Sequence, residues 1–308
     1  MADKVGTVIL AGRSPKEGLK KWLVSQIYQE SYISGINKAA LRPLSLYLGE
    51  DTENKSNLDY VVDALSDSLM VDNEFVVTVG LKDELSDVVN NRTHLIEQGN
   101  SLGENMVKGN NFLQDIGYKG DHVLYICGDI PLISGYYLDL FFEECQRRGS
   151  AEGYVGIGSR KQLRQFVTEK EIEQFGEVRD SQFPKRGYLN KFGIPLIDDS
   201  NIFYPTETYD EFVSGNTFLI HKSVLDDKLF NTFYHNIKFP WNLKILLQNT
   251  SLSDTINLFK GRWTVSQAEE FIQSSYGYSM KLAAQKPEFM FDTDSHEDFA
   301  RNSYLLSF

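Results

Sequence analysis

Cysteine is nearly absent from this chain: there are two in 308 residues, Cys127 in an apolar run and Cys145 in an amphipathic stretch. Two isolated thiols fit neither a disulfide framework nor a zinc spacing, so both are expected to serve packing. Histidine is equally thin. The five residues, His94, His122, His221, His235 and His296, show no metal-ligand spacing of the His-Glu-x-x-His kind, which argues against a structural zinc. Long apolar runs are missing too, since none approaches the roughly 20 residues of a membrane span. The start Met1-Ala2-Asp3-Lys4-Val5 leads straight into a strand-like run without a basic leader, and the expected location is the cytoplasm. Positive charge is in deficit: 31 Lys and Arg face 43 Asp and Glu, a net charge of −12. Such a surface repels nucleic acid and anionic membrane, so neither is an expected partner. A small phosphorylated ligand remains open, because a few local basic groups and a metal can hold a phosphate inside an acidic protein.

What is present is ordinary for a globular protein, 41% apolar and 24% charged. Strand-like and helix-like periods alternate from the N-terminus, which predicts a parallel sheet. Strands are expected at Val5 to Leu10, Phe75 to Val79, Asp121 to Cys127, Tyr154 to Gly158 and Gly215 to Ile220. Helices are expected at Leu58 to Leu69, Glu84 to Asn90, Gly103 to Ile116, Gly135 to Arg148, Ser223 to Leu229, Pro240 to Gln248, Ser251 to Phe259 and Val265 to Ser274. A last strand, Phe289 to Phe291, is expected to feed a helix from His296 to Leu305. Between Arg160 and Ser214 no period is sustained, and this stretch reads as a lobe or lid on the acceptor side. No repeat or long linker divides the chain, so residues 1–308 are expected to form one domain with residues 160–214 as an inserted lobe. Monomer and homodimer are both open.

Two apolar runs end in acids. His122 to Cys127 leads to Gly128-Asp129-Ile130-Pro131, and Phe289-Met290-Phe291 leads to Asp292-Thr293-Asp294. A carboxylate directly after a buried run costs stability unless it lies at an exposed strand tip or binds something. Two such tips suit magnesium, which takes one or two carboxylates and leaves its other positions to water and phosphate oxygens. Helix capping is the alternative reading for each acid by itself. At the N-terminus, Leu10-Ala11-Gly12 ends a strand in a glycine turn where backbone N–H groups can approach a base or phosphate. A tight turn without a ligand would have the same sequence. Arg13 and Lys38 are the basic groups that could neutralise a triphosphate, while a solvated loop arginine and, as the better reading taken alone, a surface lysine would have the same sequence. Asn100-Ser101-Leu102-Gly103-Glu104-Asn105 opens a helix with small polar groups that can read a nucleobase edge or merely cap the helix.

These stretches, in this order, resemble the MobA-like nucleotidyltransferase (NTP transferase) family. Leu10-Ala11-Gly12-Arg13 looks like its opening Leu-Ala-Gly-Gly loop, and Lys38-Ala39-Ala40-Leu41-Arg42-Pro43-Leu44 like its Lys-Ala-Leu-x-Pro-Leu segment. Gly103-Glu104-Asn105-Met106 is similar to its nucleobase-facing turn, and Gly128-Asp129-Ile130-Pro131-Leu132 to its metal-binding Asp-x-Pro-Leu. Asp292-Thr293-Asp294 with Ser295-His296-Glu297-Asp298-Phe299 is similar to the terminal Asp-x-Asp-x-Pro-Glu-Asp-Leu. Gly215-Asn216-Thr217-Phe218-Leu219 and Lys238-Phe239-Pro240-Trp241-Asn242-Leu243-Lys244 look like the acceptor-side elements of one branch. Arg13 replaces the second loop glycine, the terminal motif lacks its proline, and the stretch from Arg13 to Lys38 is longer than the family's usual spacing.

The resemblance implies an α/β, Rossmann-like fold of the glycosyltransferase-A type, a mixed but mostly parallel sheet flanked by helices. It implies transfer of a nucleoside monophosphate from an NTP to a phosphorylated small-molecule acceptor, with Mg²⁺ on Asp129 and Asp294. Arg13 and Lys38 would bind the triphosphate. Leu10, Ala11, Gly12, Ser101, Gly103 and Asn105 would hold the nucleotide, and Lys185, Arg186, Asn216, Lys238 and Lys244 the acceptor. Two other readings stay open: a glycosyltransferase of the same fold, using Asp292-x-Asp294 on a nucleotide sugar, and a catalytically silent nucleotide-binding protein.

Overall fold

Strands buried on both faces read as unbroken apolar runs, and β1, Val5–Leu10, and β4, His122–Cys127, are of that kind: Val8, Ile9, Leu124 and Ile126 have no exposed surface. The protein is described from a computed structural model covering residues 4–11, 55–89, 91–175, 193–225 and 251–292. Its contacts gather into two compact units, Met1–Leu138 with Phe291–Phe308, and Asp139–Met290.

In the first unit, β2 is Val71–Gly80 and β3 is His94–Glu97. The strands lie in the order β3-β2-β1-β4, every neighbour parallel, with Leu10 level with Val79 on one side and Cys127 on the other. Helix α1, Asn57–Asp67, starts at a capping box in which Ser56 and Asp59 satisfy each other's backbone N–H groups. Helix α2 is Lys82–Val89 and α3 is Leu102–Asp115. A Cβ on Gly109 of α3 would fall 2.5 Å from Val8, while one on Gly128 would meet Ile9 and Leu58 of α1 at 3.4 Å. Val8 and Ile9 point to opposite faces of a strand. The sheet is therefore covered by helices on both sides.

Helix α4, Gly135–Arg147, leads into the second unit. There β5, Gly153–Ser159, lies between β7, Tyr209–His221, which is antiparallel to it, and β8, Met280–Ala284, which is parallel. On the far side of β7 runs β6, Gly193–Ile197, again antiparallel. Helix α5 is Arg160–Phe175, α6 the single turn Lys222–Leu225, α7 Leu252–Phe259 and α8 Val265–Tyr276. Helix α8 starts at a Thr264/Gln267 capping box and ends at Gly277, whose φ of 79° is the left-handed closure glycine adopts without strain. Ile157, Leu196, Phe212, Trp263, Val265 and Leu282 form the core beneath. Cys145 is buried, which pushes its thiol well above the ordinary value and suits a packing residue.

The expected α/β class, a mostly parallel sheet flanked by helices, holds: four of the six pairings within the units are parallel. Three local expectations do not. Phe289 to Phe291 is not a strand; Pro287–Met290 is a 3₁₀ turn, and the strand is β8, seven residues upstream of Phe291 at its last residue. The Arg160 to Ser214 stretch is not without regular structure, since it contains α5, β6 and the first part of β7. The Gly215 strand begins at Tyr209. The expected helices at Pro240 to Gln248 and His296 to Leu305 lie outside the described residues. Among the described residues no helix is long and apolar enough to cross a membrane.

Candidate functional site

The strand order of the first unit reverses at β1: the chain moves outward to β2 and β3, then returns to place β4 on the other side. At such a switch point the loops leaving the two central strands diverge, and a crevice opens beyond their C-terminal ends. Those ends are Leu10 and Ala11 on β1, and Gly128 and Asp129 after β4. Gly128 N donates to Leu10 O at 3.1 Å, and Ala11 N donates to Val79 O at 3.0 Å. The tips of β4, β1 and β2 are thus sewn together. A Cβ on Gly128 would sit 3.2 Å from Ala11 Cβ, so the absent side chain keeps this edge low. Asp129 follows, half-buried, and Ile130 after it is completely buried and pins the turn. Asp292, also in the first unit and half-buried, follows the fully buried Phe291.

A second wall rises at the edge strand. Helix α3 joins the C-terminal end of β3 to the start of parallel β4, so it must run back against the strands. With Gly109 on Val8, one turn towards its start, about 6 Å, brings Asn105 to the level of Leu10. Ser101 caps α3, its Oγ accepting from Glu104 N at 3.1 Å. The two residues beyond reach backwards: Asn105 Oδ1 accepts from Gly99 N at 2.6 Å, and Glu104 Oε2 from Asn100 N at 2.7 Å. The Asn100 N–H bond holds the Glu104 carboxyl below its ordinary range, helped by Lys108. Lys108 Nζ also donates to Gln98 O at 3.3 Å, and Gln98 N to Gly80 O at 3.0 Å. Asn105 is buried, as is Gly103, while Ser101 is half-buried.

The second unit engages its two buried aspartates with other polar groups. Asp198 is fully buried and its carboxylate accepts from the N–H groups of Ile202, Phe203 and Tyr204 at 2.8, 2.8 and 3.1 Å. The hydroxyls of Ser159 and Tyr204, 2.7 Å apart, both reach Asp210 Oδ2. Asp210 Oδ2 also accepts from Lys161 N at 3.4 Å and Ser159 Oγ from Gln162 N at 3.2 Å, which together cap α5. Burial pushes the Tyr204 phenol up to about 12, with Asp210 adding to the rise, so it stays a donor to that carboxylate. Asn216, on β7, donates from Nδ2 to Phe289 O at 3.0 Å and so ties down the 3₁₀ turn.

Of the residues singled out by sequence, Leu10, Ala11 and Asp129 come together at the switch point, with Ser101, Gly103 and Asn105 along the same edge of the first unit. Asn216 belongs to the second unit. Gly12, Arg13, Lys38, Lys185, Arg186, Lys238, Lys244 and Asp294 lie outside the described residues. The bracing by Glu104 was missed, although a Glu three residues after a capping Ser is a visible capping-box pattern. The Ser159, Tyr204 and Asp210 cluster joins residues 51 apart and leaves no local trace.

A magnesium ion is the metal the motifs imply. Among the described residues no three His, Cys, Asp or Glu gather as a ligand cage, and of the two expected ligands Asp129 is described, half-exposed after its strand tip. A site with one or two carboxylates suits magnesium, which keeps most of its positions for water and phosphate, better than an ion needing an all-protein cage.

No protein-family model matches the chain, and no curated protein matches it. Among solved structures it is similar to a hypothetical transferase from Thermus thermophilus, at 17% identity and a TM-score of 0.62, over 96% of this chain and 99% of that one. This likeness fixes the fold. Two further structures align more loosely. A CMP:2-keto-3-deoxy-manno-octonic acid synthetase complexed with CTP is 11% identical, with a TM-score of 0.44 over 92% of this chain and 90% of that one. A 4-diphosphocytidyl-2C-methyl-D-erythritol synthase from Anaerococcus prevotii DSM 20548 is 13% identical, with a TM-score of 0.47 over 99% and 96%.

Proposed function

We propose that the protein is a nucleotidyltransferase that moves a nucleoside monophosphate from an NTP to a phosphorylated small molecule and releases pyrophosphate. One observation carries this reading: Gly128, the residue before Asp129, donates its N–H to Leu10 O at the switch point, so Asp129 follows directly on the strand tips where an α/β sheet binds its ligand. An acceptor phosphate oxygen attacks the α-phosphorus, the bond from that phosphorus to the bridging oxygen breaks, and pyrophosphate takes the electron pair. The nucleophile is already an anion, so no general base is needed. The barrier lies in bringing polyanions together and in the charge that develops at the α-phosphate.

The assigned roles follow that need. Asp129 and Asp294 hold Mg²⁺, which when bound neutralises charge at the α-phosphate. Arg13 and Lys38 bind the triphosphate and steady the departing pyrophosphate. The base lies towards residues 98–105, because Glu97 and Glu104 there would repel phosphates. Lys185, Arg186, Lys238 and Lys244 are the basic groups assigned to the acceptor phosphate, with Asn216 as their polar neighbour in the motif.

A thermal-shift panel of the four NTPs with and without Mg²⁺ tests the reading, since a ligand at 100 times its dissociation constant adds about 2.7 kcal/mol. A magnesium-dependent shift with at least one NTP, followed by isotope exchange between pyrophosphate and that NTP in the presence of acceptor, is the expected result. Shifts with nucleotide sugars and no pyrophosphate exchange would replace it with a glycosyltransferase.

A further inference from the structure

Strand β7 breaks its register with β5 in one place. The pairing runs evenly from Gly153 and Ile220 to Val155 and Phe218, then resumes at Ile157 and Ser214. Gly215, Asn216 and Thr217 therefore stand opposite Gly156 alone, a bulge of the kind that re-aims a side chain. An unbroken register would set Asn216 opposite Ile157, on the face where Ile157 joins Leu196 and Trp263 in the core. Asn216 instead donates from Nδ2 to Phe289 O at 3.0 Å, in the 3₁₀ turn Pro287–Met290. That turn lies over the other face of β5: a Cβ on Gly158, the residue after Ile157, would fall 2.7 Å from Met290 Sδ. The last carbonyls of a helical turn have no partner within it, and Asn216 supplies one. Gln285 N, donating to Ile157 O at 2.8 Å, holds the entry of the turn to β5, and Asn216 holds its exit. The next residues in the chain are Phe291, which is fully buried, and Asp292-Thr293-Asp294.

Resting on the nucleotidyltransferase reading above, we propose that Asn216 is a positioning residue for the magnesium carboxylate and not a contact to the acceptor: by capping the turn it fixes the point from which the chain runs to Asp292 and on to Asp294. Its amide nitrogen is spent on a backbone carbonyl, and the bulge serves to bring it there. A carboxylate holds a metal ion well only when the groups behind it fix its place, and losing such outer support typically weakens metal binding by about 10- to 100-fold.

The test is the Mg²⁺ concentration that gives half of the thermal shift induced by each NTP that binds. It is read for the native chain, for Asn216→Leu, which removes the donor at similar volume, and for Asn216→Gln, which keeps an amide one carbon further out. Asn216→Leu should raise that concentration about tenfold, and Asn216→Gln should recover part of the loss. Mn²⁺ binding with the same NTP, followed by electron paramagnetic resonance, should weaken in parallel. An unmoved metal requirement in Asn216→Leu overturns the proposal, even where the free variant melts earlier, because a purely structural or acceptor-binding Asn216 would leave it unmoved. Should far-UV circular dichroism show Asn216→Leu unfolded, Asn216→Asp, equal in shape but without the N–H, is read in the same way. A native chain with no Mg²⁺-dependent shift for any NTP defeats the nucleotide reading and this proposal with it, a result distinct from an unmoved requirement.

Discussion

The two units carry carboxylates in contrasting ways. Asp129 and Asp292 of the first unit are half-exposed at chain turns that follow buried apolar residues. Asp198 and Asp210 of the second are buried and fully engaged, by three backbone N–H groups in one case and two hydroxyls with backbone donors in the other. A buried carboxylate is stable only when its charge is solvated by fixed donors. A half-exposed carboxylate after a strand tip stays within reach of a ligand. An acid's sequence neighbours say little about which kind it is; its burial does.

The sharpest way to break this contrast is to remove one acid of each kind. Asp129→Ala should lower turnover by at least about a thousandfold, the scale of losing a key transition-state stabiliser, with the melting temperature nearly unchanged. Asp198→Ala should do the reverse, costing about 3 kcal/mol by orphaning the N–H groups of Ile202, Phe203 and Tyr204. Pyrophosphate release and urea melts, run on both variants, read the two effects separately. Full turnover in Asp129→Ala would sink the metal assignment.

A smaller effect comes from pH. Glu104 in the first unit and Asp199 in the second both sit below their ordinary range. For Asp199, burial works against the shift, and hydrogen bonds from Ser266, Thr264 and Ser200 outweigh it. A depressed folded pKa stabilises fully above the unfolded value and is lost as pH falls through the folded one. Both contributions are therefore intact at neutral pH and disappear only below the usual carboxylate range. Hydrogen exchange should show Asn100 N–H and Ser266 N–H losing protection together under acid, well before the strands of either core. Protection of Asn100 that persists in strong acid would mean Glu104 does not brace the loop.

Legibility followed burial. β1 and β4 were plain because both faces are packed, and Gly128 and Asp129 were read correctly as lying at the tip of β4. β3, His94–Glu97, was missed because it is short and half-exposed, and β6, Gly193–Ile197, because Pro195 interrupts its pattern. Helix α5 was missed because its charge-dense sequence lacks an apolar stripe. Phe289 to Phe291 misled because a short apolar run reports burial, not conformation; Pro287 opens a 3₁₀ turn there instead. At the site, the strand tips could be read from local pattern. The orientation of the 98–101 loop could not, since it depends on side chains of α3 reaching back to particular N–H groups.

The satisfaction of the second unit is not complete, and its exceptions give the finest test. Thr217 is fully buried with no partner for Oγ1, and Gln285 is buried with neither amide atom bonded, its side chain lying over Gly156, where a Cβ would come 2.1 Å from Gln285 Cδ. Thr217 on β7 and Gln285 after β8 flank that glycine from the two neighbouring strands. If these groups are dry, Thr217→Val removes an unsatisfied hydroxyl at nearly constant shape and should stabilise by up to about 1 kcal/mol. If a water bridges them, the same change strands it and should cost about as much. The sign of the shift in urea midpoint separates the cases. A stabilising shift would show that this unit tolerates a bare hydroxyl in the same interior where Asp198 and Asp210 are held by fixed donors.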